Sequence, residues 1–243
     1  MKSNKFKVST YFDTWTGNKK IGSFDIEVRF LSKIISRYKM KNPSILDVGC
    51  GSGLHMKKLI EGGYNVEGID ISKNQIKNAK LNINKKDIKL FRGDIKIINL
   101  RKKYNIIYSI QYALNYSMKN EDLSKSLRNI NKHLKRNSIF IFELMNPYRY
   151  LIKYRSKTWK SKKEILITKY DPKNQIVSAI EYYPNKNLRK PYKIRLFFPE
   201  EIKFHLEMCG FKLINIYGSY DKKSKFNENS KMIFLCKKNK VNL

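Results

Sequence analysis

Three glycines at alternate positions, Gly49, Gly51 and Gly53, follow the apolar run Ser44–Val48, and a carboxylate, Asp47, stands two residues ahead of the first. Glycines so spaced strip a loop of side chains, so a nucleotide can approach the backbone N–H groups at the start of a helix beginning near Leu54. Asp70 ends the next apolar segment nineteen residues past Gly51, where its oxygens can accept from both hydroxyls of a ribose, with Ile71 beside it as an apolar face for a base. After a third apolar segment comes Gly93-Asp94-Ile95, in which Asp94 suits an adenine amino group and Ile95 the ring. The G-x-G-x-G spacing departs from the dinucleotide pattern G-x-G-x-x-G, and the charge of Asp47 suits a ligand ammonium better than a pyrophosphate.

These residues need elements to hold them. Apolar positions Ile26, Phe30, Leu31, Ile34 and Ile35 repeat at three and four, predicting an amphipathic helix over Phe24–Tyr38. Strands are expected at Ser44–Val48, Tyr64–Asp70, Ile88–Phe91, Tyr104–Ile110 and Ser138–Glu143. Helices alternate with them at Leu54–Ile60, after an N-cap at Ser72, and over Glu121–Leu134. Such alternation predicts an α/β fold with a doubly wound, mostly parallel sheet and ligands at the carboxyl ends of its strands.

Past Asn146-Pro147, read as a turn, the pattern changes. Glu164–Tyr170, Gln175–Tyr183 and Tyr192–Phe198 are β-rich with no helices between them, so a small antiparallel insertion is expected, with a hairpin turn at Asp171–Asn174. A helix from Pro199 to Cys209 ends at Gly210, and strands Lys212–Tyr217 and Lys231–Cys236 bring the main sheet to seven. The whole reads as one domain: residues 1–42 as an N-terminal lid and helix, 43–147 as the cofactor core, 148–198 as a cap and 199–243 as a closing helix and two strands.

The chain has 243 residues, 41% of them hydrophobic, enough to bury a core without metals or disulfides. Its three cysteines, Cys50, Cys209 and Cys236, make no paired metal spacing, and no metal site is expected. With no long uncharged apolar run and no apolar leader after Met1, a cytoplasmic protein without a membrane partner is expected. The net charge of +32 is mostly lysine spread end to end, which favours a generally basic surface over a dedicated polynucleotide groove.

Ile45-Leu-Asp-Val-Gly-Cys-Gly-Ser-Gly53, Glu67-Gly-Ile-Asp-Ile-Ser72 and Gly93-Asp94 resemble the first three motifs of the class I S-adenosylmethionine-dependent methyltransferases, a Rossmann-like family. The resemblance implies S-adenosylmethionine as cofactor and S-adenosylhomocysteine as product. Tyr11, Asp47, Gly49, Cys50, Gly51, Asp70, Ile71, Asp94, Ile95 and Ile110 would form the cofactor site. The usual acidic residue of the fourth strand is replaced here by Tyr104-Asn105, so Asn105 needs no active role.

Glu143, the β-rich insertion, Phe198-Pro-Glu-Glu201 and Tyr217-Gly-Ser-Tyr-Asp221 are similar to small-molecule methyltransferases, including N-methyltransferases of amino-sugars and amines. The implied reaction is in-line methyl transfer to a small acceptor, with an amine nitrogen as the main reading, a hydroxyl oxygen as one alternative and RNA as another. Against RNA, no Asn/Asp-Pro-Pro-aromatic segment follows Ile110, and there is no Pro-Cys nucleophile.

Glu143, Tyr116 and Tyr112 are the candidates for catalysis, with Glu143, ahead of Asp13, as base. Trp15, Phe24, Asn115 and Arg195 are candidates for contacting the substrate, and Arg149 or Arg195 at the rim would suit an anionic group. None of His55, His133 and His205 has a sequence neighbour that marks it as catalytic. A monomer and a homodimer are both compatible with the sequence.

Overall fold

Ser44–Val48 (β2) lies at the heart of a seven-stranded sheet, and its residues from Ile45 to Val48 are all buried. A strand covered on both faces needs a near-continuous apolar run, and Ile-Leu-Asp-Val supplies it with one exception, Asp47. The computed structural model describes residues 7–8, 24–154, 157–161, 164–221 and 224–239. Tyr11, Asp13 and Trp15 lie outside them.

On one side of β2 come Asn65–Asp70 (β3) and Leu90–Arg92 (β4), and on the other Tyr104–Ser109 (β5) and Leu134–Leu144 (β6), all parallel. Met232–Lys238 (β12) runs antiparallel to β6, and Phe211–Tyr217 (β11) closes that edge antiparallel to β12. Six strands thus point one way and β12 the other, the mostly parallel sheet expected. Asp25–Arg37 (α1) and Leu54–Glu61 (α2) cover one face through Phe30, Leu31, Met56 and Leu59. Asn120–Lys132 (α4) and Pro199–Met208 (α6) cover the other through Leu123, Leu127, Ile202 and Leu206.

Two polar clamps hold the amino-terminal half of this sheet, away from the glycine loop. Asn105 Oδ1 accepts from the Ser44 N–H at 3.1 Å and from its hydroxyl at 2.9 Å, tying β5 to β2. Buried Glu67 on β3 accepts from the Tyr104 hydroxyl at 2.7 Å and pairs with Lys102, so its charge is compensated rather than stranded. Asn105 is therefore a structural acceptor.

The insertion is a second sheet. Thr158–Lys160 (β7), Ile165–Asp171 (β8), Ile176–Tyr183 (β9) and Leu188–Arg195 (β10) pair antiparallel in sequence order, and Lys7–Val8 (β1) adds to β10 in parallel. Its turn is the one expected, with Asp171 Oδ1 accepting from the backbone N–H of Lys173 at 3.0 Å. Val177, Ala179, Ile194 and Leu196 pack with Tyr150, and Tyr116 and Met145 from the main sheet's carboxyl edge join them. The insertion is thereby set over the ends of β5 and β6.

Three segments differ from the sequence reading. Pro147–Tyr154 (α5) is a helix, not a turn: Pro147 occupies its first position, and Asn146 Oδ1 accepts from the Tyr148 N–H at 3.1 Å. β10 starts at Leu188, before Pro191; among the described residues β1 pairs with Leu188 and Arg189 and leaves Pro191 at an open edge. It ends at Arg195, short of Phe198. β6 starts four residues before Ser138, since Leu134 already pairs with Tyr104. Among the described residues, no helix is long and apolar enough to cross a membrane.

Candidate functional site

At the carboxyl end of β2 the chain turns through Gly49 and Gly51 with φ of 75° and 53°, and the N–H groups of Gly49 and Cys50 both donate to the Ile69 carbonyl at 2.8 and 3.0 Å. The two glycines are needed for different reasons. A Cβ on Gly49 would sit 2.5 Å from that of Ala113, whereas one on Gly51 would meet nothing nearer than Gln75 Oε1 at 3.9 Å. Side chains at Gly51 would project into open space, the place a ligand needs free.

That space is a cavity of about 430 Å³, within the range of ligand-binding clefts. At its floor Asp47 is only 3% exposed, and the Tyr108 hydroxyl donates to its Oδ2 at 2.9 Å. Burial, with the charge of Asp70 adding, pushes the Asp47 carboxyl up to about 8 against the opposing hydrogen bond from Tyr108. Its other oxygen has no partner among the described residues.

Asp70, at the end of β3, accepts from the Gly51 N–H at 2.8 Å through Oδ2 and from the Ser72 N–H at 2.9 Å through Oδ1. Ser72 in turn caps Lys73–Ile83 (α3) by accepting from the Gln75 N–H at 3.2 Å, as its sequence position predicts. Ile71 is 52% exposed and lies on the cavity wall, an unusual cost for an isoleucine unless something flat covers it. Asp94 and Ile95 close the same end, on a loop fixed by Asn129 Nδ2 donating to the carbonyls of Ile95 at 2.7 Å and Ile98 at 2.8 Å.

The far end is built after β5, where Gln111 and Tyr112 adopt positive φ of 58° and 69°, strained for residues with side chains. Buried Glu143 holds that turn by accepting from the Gln111 N–H at 3.0 Å. The same carboxylate accepts from the Tyr220 hydroxyl at 2.8 Å and from Lys231 Nζ at 2.6 Å. Its charge, then burial, raises the Tyr112 hydroxyl well above its ordinary range. From the insertion, Tyr192 and Ile194 of β10 line the cavity together with Tyr112, Tyr116 and Met145.

Most of the residues expected at the site meet in this one cavity: Asp47, Gly49, Cys50, Gly51, Asp70, Ile71, Asp94, Ile95, Ile110, Tyr112, Tyr116 and Phe24 all line it. Three do not. Glu143 lies below it with both oxygens engaged. Asn115 is fully buried as a brace, donating to the Arg195 carbonyl at 2.7 Å and accepting from the Met145 N–H at 3.0 Å. Arg195 anchors the insertion, its guanidinium 2.5 Å from Glu201 and 2.6 Å from Asn120 Oδ1. Sequence reasoning missed Tyr192 and Ile194, although their alternation puts both on one face, and also His55, which lines the cavity from α2.

The match to known proteins falls on the same residues. A family model described as a methyltransferase domain matches residues 45–137, from β2 into β6. Over that span the chain is similar to the class I S-adenosylmethionine-dependent methyltransferases. Among curated members, the ubiquinone biosynthesis O-methyltransferase of Pelagibacter ubique is 28% identical over 134 residues, 50% of this chain and 53% of that protein. A dTDP-3-amino-3,6-dideoxy-alpha-D-glucopyranose N,N-dimethyltransferase of Streptomyces fradiae is 23% identical over 117 residues, 48% of this chain and 45% of that one. The chain thus spans about half the length of these relatives. In fold, the CcbJ methyltransferase of Streptomyces caelestis superposes with a TM-score of 0.81 at 15% identity, covering 95% of this chain and 96% of that one.

The cavity fits S-adenosylmethionine, the cofactor that the resemblance implies. A buried carboxylate without a cation among the described residues, a strand-end aspartate with an exposed isoleucine beside it, and a glycine whose missing side chain leaves space all face one volume.

Proposed function

We propose that this protein transfers the methyl group of S-adenosylmethionine to a small-molecule acceptor. The observation that carries the reading is the continuity of one cavity from Asp70 and Ile71 to the Tyr192–Ile194 wall of the insertion. A cavity of about 430 Å³ closed on one side by such a wall suits a small molecule. In this reading Asp47 takes the cofactor's ammonium, Asp70 its ribose hydroxyls, Ile71 and Ile95 the adenine faces, and Asp94 the adenine amino group.

When bound, S-adenosylmethionine supplies an electrophilic methyl on a sulfonium. The residues around Tyr112, Tyr116 and Tyr192 align the acceptor and exclude water from it. For the acceptor atom we favour a hydroxyl oxygen over the amine nitrogen expected from sequence. The named activity of the Pelagibacter relative supports oxygen, and so does the presence at the cavity of groups suited to receiving a proton; the Streptomyces fradiae relative supports nitrogen.

The test is incubation with methyl-labelled S-adenosylmethionine and, in parallel, the small-molecule fraction and the bulk RNA of the source cell. Label in a metabolite fraction is the expected result. Label confined to RNA would overturn the reading.

A further inference from the structure

One residue of the cavity wall, with a buried partner behind it, has no part in holding the cofactor as assigned above. His55, on α2 just past the glycine loop, is 8% exposed, lines the cavity and stands with Nε2 3.2 Å from Oε2 of Glu27, a fully buried glutamate on α1. Phe24 packs edge-on against the imidazole, ring centroids 4.8 Å apart, which fixes the plane of the ring. Nδ1 has no hydrogen-bond partner among the described residues, nor is it sealed off from solvent-sized space.

The other two described histidines differ in this respect. His133 accepts from the Leu100 N–H at Nε2 and faces the Asn129 carbonyl with Nδ1, so both nitrogens are spent within the fold. His205 holds Ser124 between α4 and α6 and lines no part of the cavity. Only in His55 is one nitrogen bound to a buried carboxylate while the other has no partner among the described residues.

Which nitrogen carries the proton then follows from the partner. An ionised Glu27 requires Nε2–H as donor, so the neutral ring of this cavity-lining residue carries its lone pair on Nδ1. We propose that His55 is the proton acceptor of the methyl-transfer reaction, with Glu27 as its positioning residue, and that the acceptor molecule carries a hydroxyl that must lose its proton. This rests on the small-molecule reading above.

The balance is complete within the site. As the acceptor oxygen forms its bond to the methyl carbon, the carbon–sulfur electron pair stays on sulfur, the hydroxyl proton passes to Nδ1, and the sulfonium's positive charge becomes that of the imidazolium. Glu27 stabilises that charge as it forms. Around the pair lie Tyr112 and Tyr220, both within electrostatic reach of Glu27, then Glu143 and Arg149 beyond them, and the Asp25–Lys58 pair on the outer side of the same helix contact. Glu143 is matched by Lys231, and Glu27 is the carboxylate that meets His55.

The experiment compares the intact wild-type protein with the His55→Gln and Glu27→Gln variants in three measurements. These are S-adenosylmethionine binding by calorimetry, transfer of label to the small-molecule fraction across pH, and nitrogen NMR of the histidines. Expected are near-unchanged cofactor binding and a loss of transfer of about a hundredfold in His55→Gln that narrows as pH rises. In Glu27→Gln a smaller loss is expected, with its pH midpoint shifted down. Nitrogen NMR should show Nε2–H in the neutral ring, with Nδ1 shifting on addition of S-adenosylhomocysteine while the His133 signals stay in place.

Transfer equal to wild type in His55→Gln, or a loss that follows cofactor binding at every pH, overturns the proposal. If the wild type binds cofactor yet labels no small molecule, the functional reading fails by itself. The NMR still decides the dyad: a neutral ring protonated at Nδ1 overturns it.

Discussion

Gly51 donates its backbone N–H to Oδ2 of Asp70 at 2.8 Å, so the residue expected to grip a ribose also closes the loop that must lie beside it. Loop and ligand site share one carboxylate. Asp70 lines the cavity, and its two backbone donors keep it oriented before any ligand arrives.

Asp70→Ala is expected to lose twice. Binding of S-adenosylmethionine should weaken at least about tenfold, which corresponds to about 1.4 kcal/mol. Stability should also fall by about 1–3 kcal/mol, because the N–H groups of Gly51 and Ser72 are left without an acceptor. Calorimetric titration reads the first and urea unfolding the second; unchanged binding would remove Asp70 from the site.

Asp47 predicts a proton signature. A carboxyl raised to about 8 in the folded protein is protonated at neutral pH, so in the ligand-free state it contributes stability below its unfolded value, 3.8, that is lost as pH rises toward 8. An incoming ammonium reverses the preference and drives the proton off. Between about pH 6 and about pH 7.5, below the α-amino pKa of the cofactor, binding should release protons and tighten with pH. Calorimetry in buffers of different ionisation enthalpy measures the release. Asp47→Asn should abolish it, and a wild type showing no buffer dependence would refute the assignment.

What the sequence discloses and what it hides divide along a physical line. The glycine loop, Asp70 and the N-cap Ser72 are legible because their chemistry is local: a positive φ, a strand end, a cap three residues from its donor. β2 is legible to the residue because a doubly covered strand must be apolar. The partners of these residues are not. Asp47 meets Tyr108, Glu143 meets Lys231 and His55 meets Glu27 only through strand register and helix packing, and no spacing along the chain encodes that. α5 was hidden for a related reason: Asn146-Pro147 serves equally as a turn or as a cap with proline in the first helical position.

Glu143 illustrates the same limit and gives a third prediction. As a general base it would need a free oxygen; as found, it pins Gln111, Tyr220 and Lys231 at once. Glu143→Ala should therefore cost about 3–5 kcal/mol by stranding a partly buried lysine and releasing the strained Gln111–Tyr112 turn. The midpoint of a denaturant curve checks this, and a variant as stable as wild type but devoid of turnover would return Glu143 to the role of base.

Tyr192 separates the two ends of the cavity. It comes from β10 of the insertion, with Ile194, whereas every residue assigned to the cofactor comes from the main sheet and its loops. Cutting it back to alanine removes one aromatic face, about 2–3 kcal/mol of apolar contact at full burial, without touching the glycine loop. Tyr192→Ala should thus raise the KM for the methyl acceptor by about tenfold or more while the Kd for S-adenosylmethionine stays within about twofold. The comparison needs one preparation, one acceptor fraction and two titrations. Equal weakening of both ligands would mean that the insertion clamps the cofactor, and the division of the cavity into a cofactor end and an acceptor end would have to be redrawn.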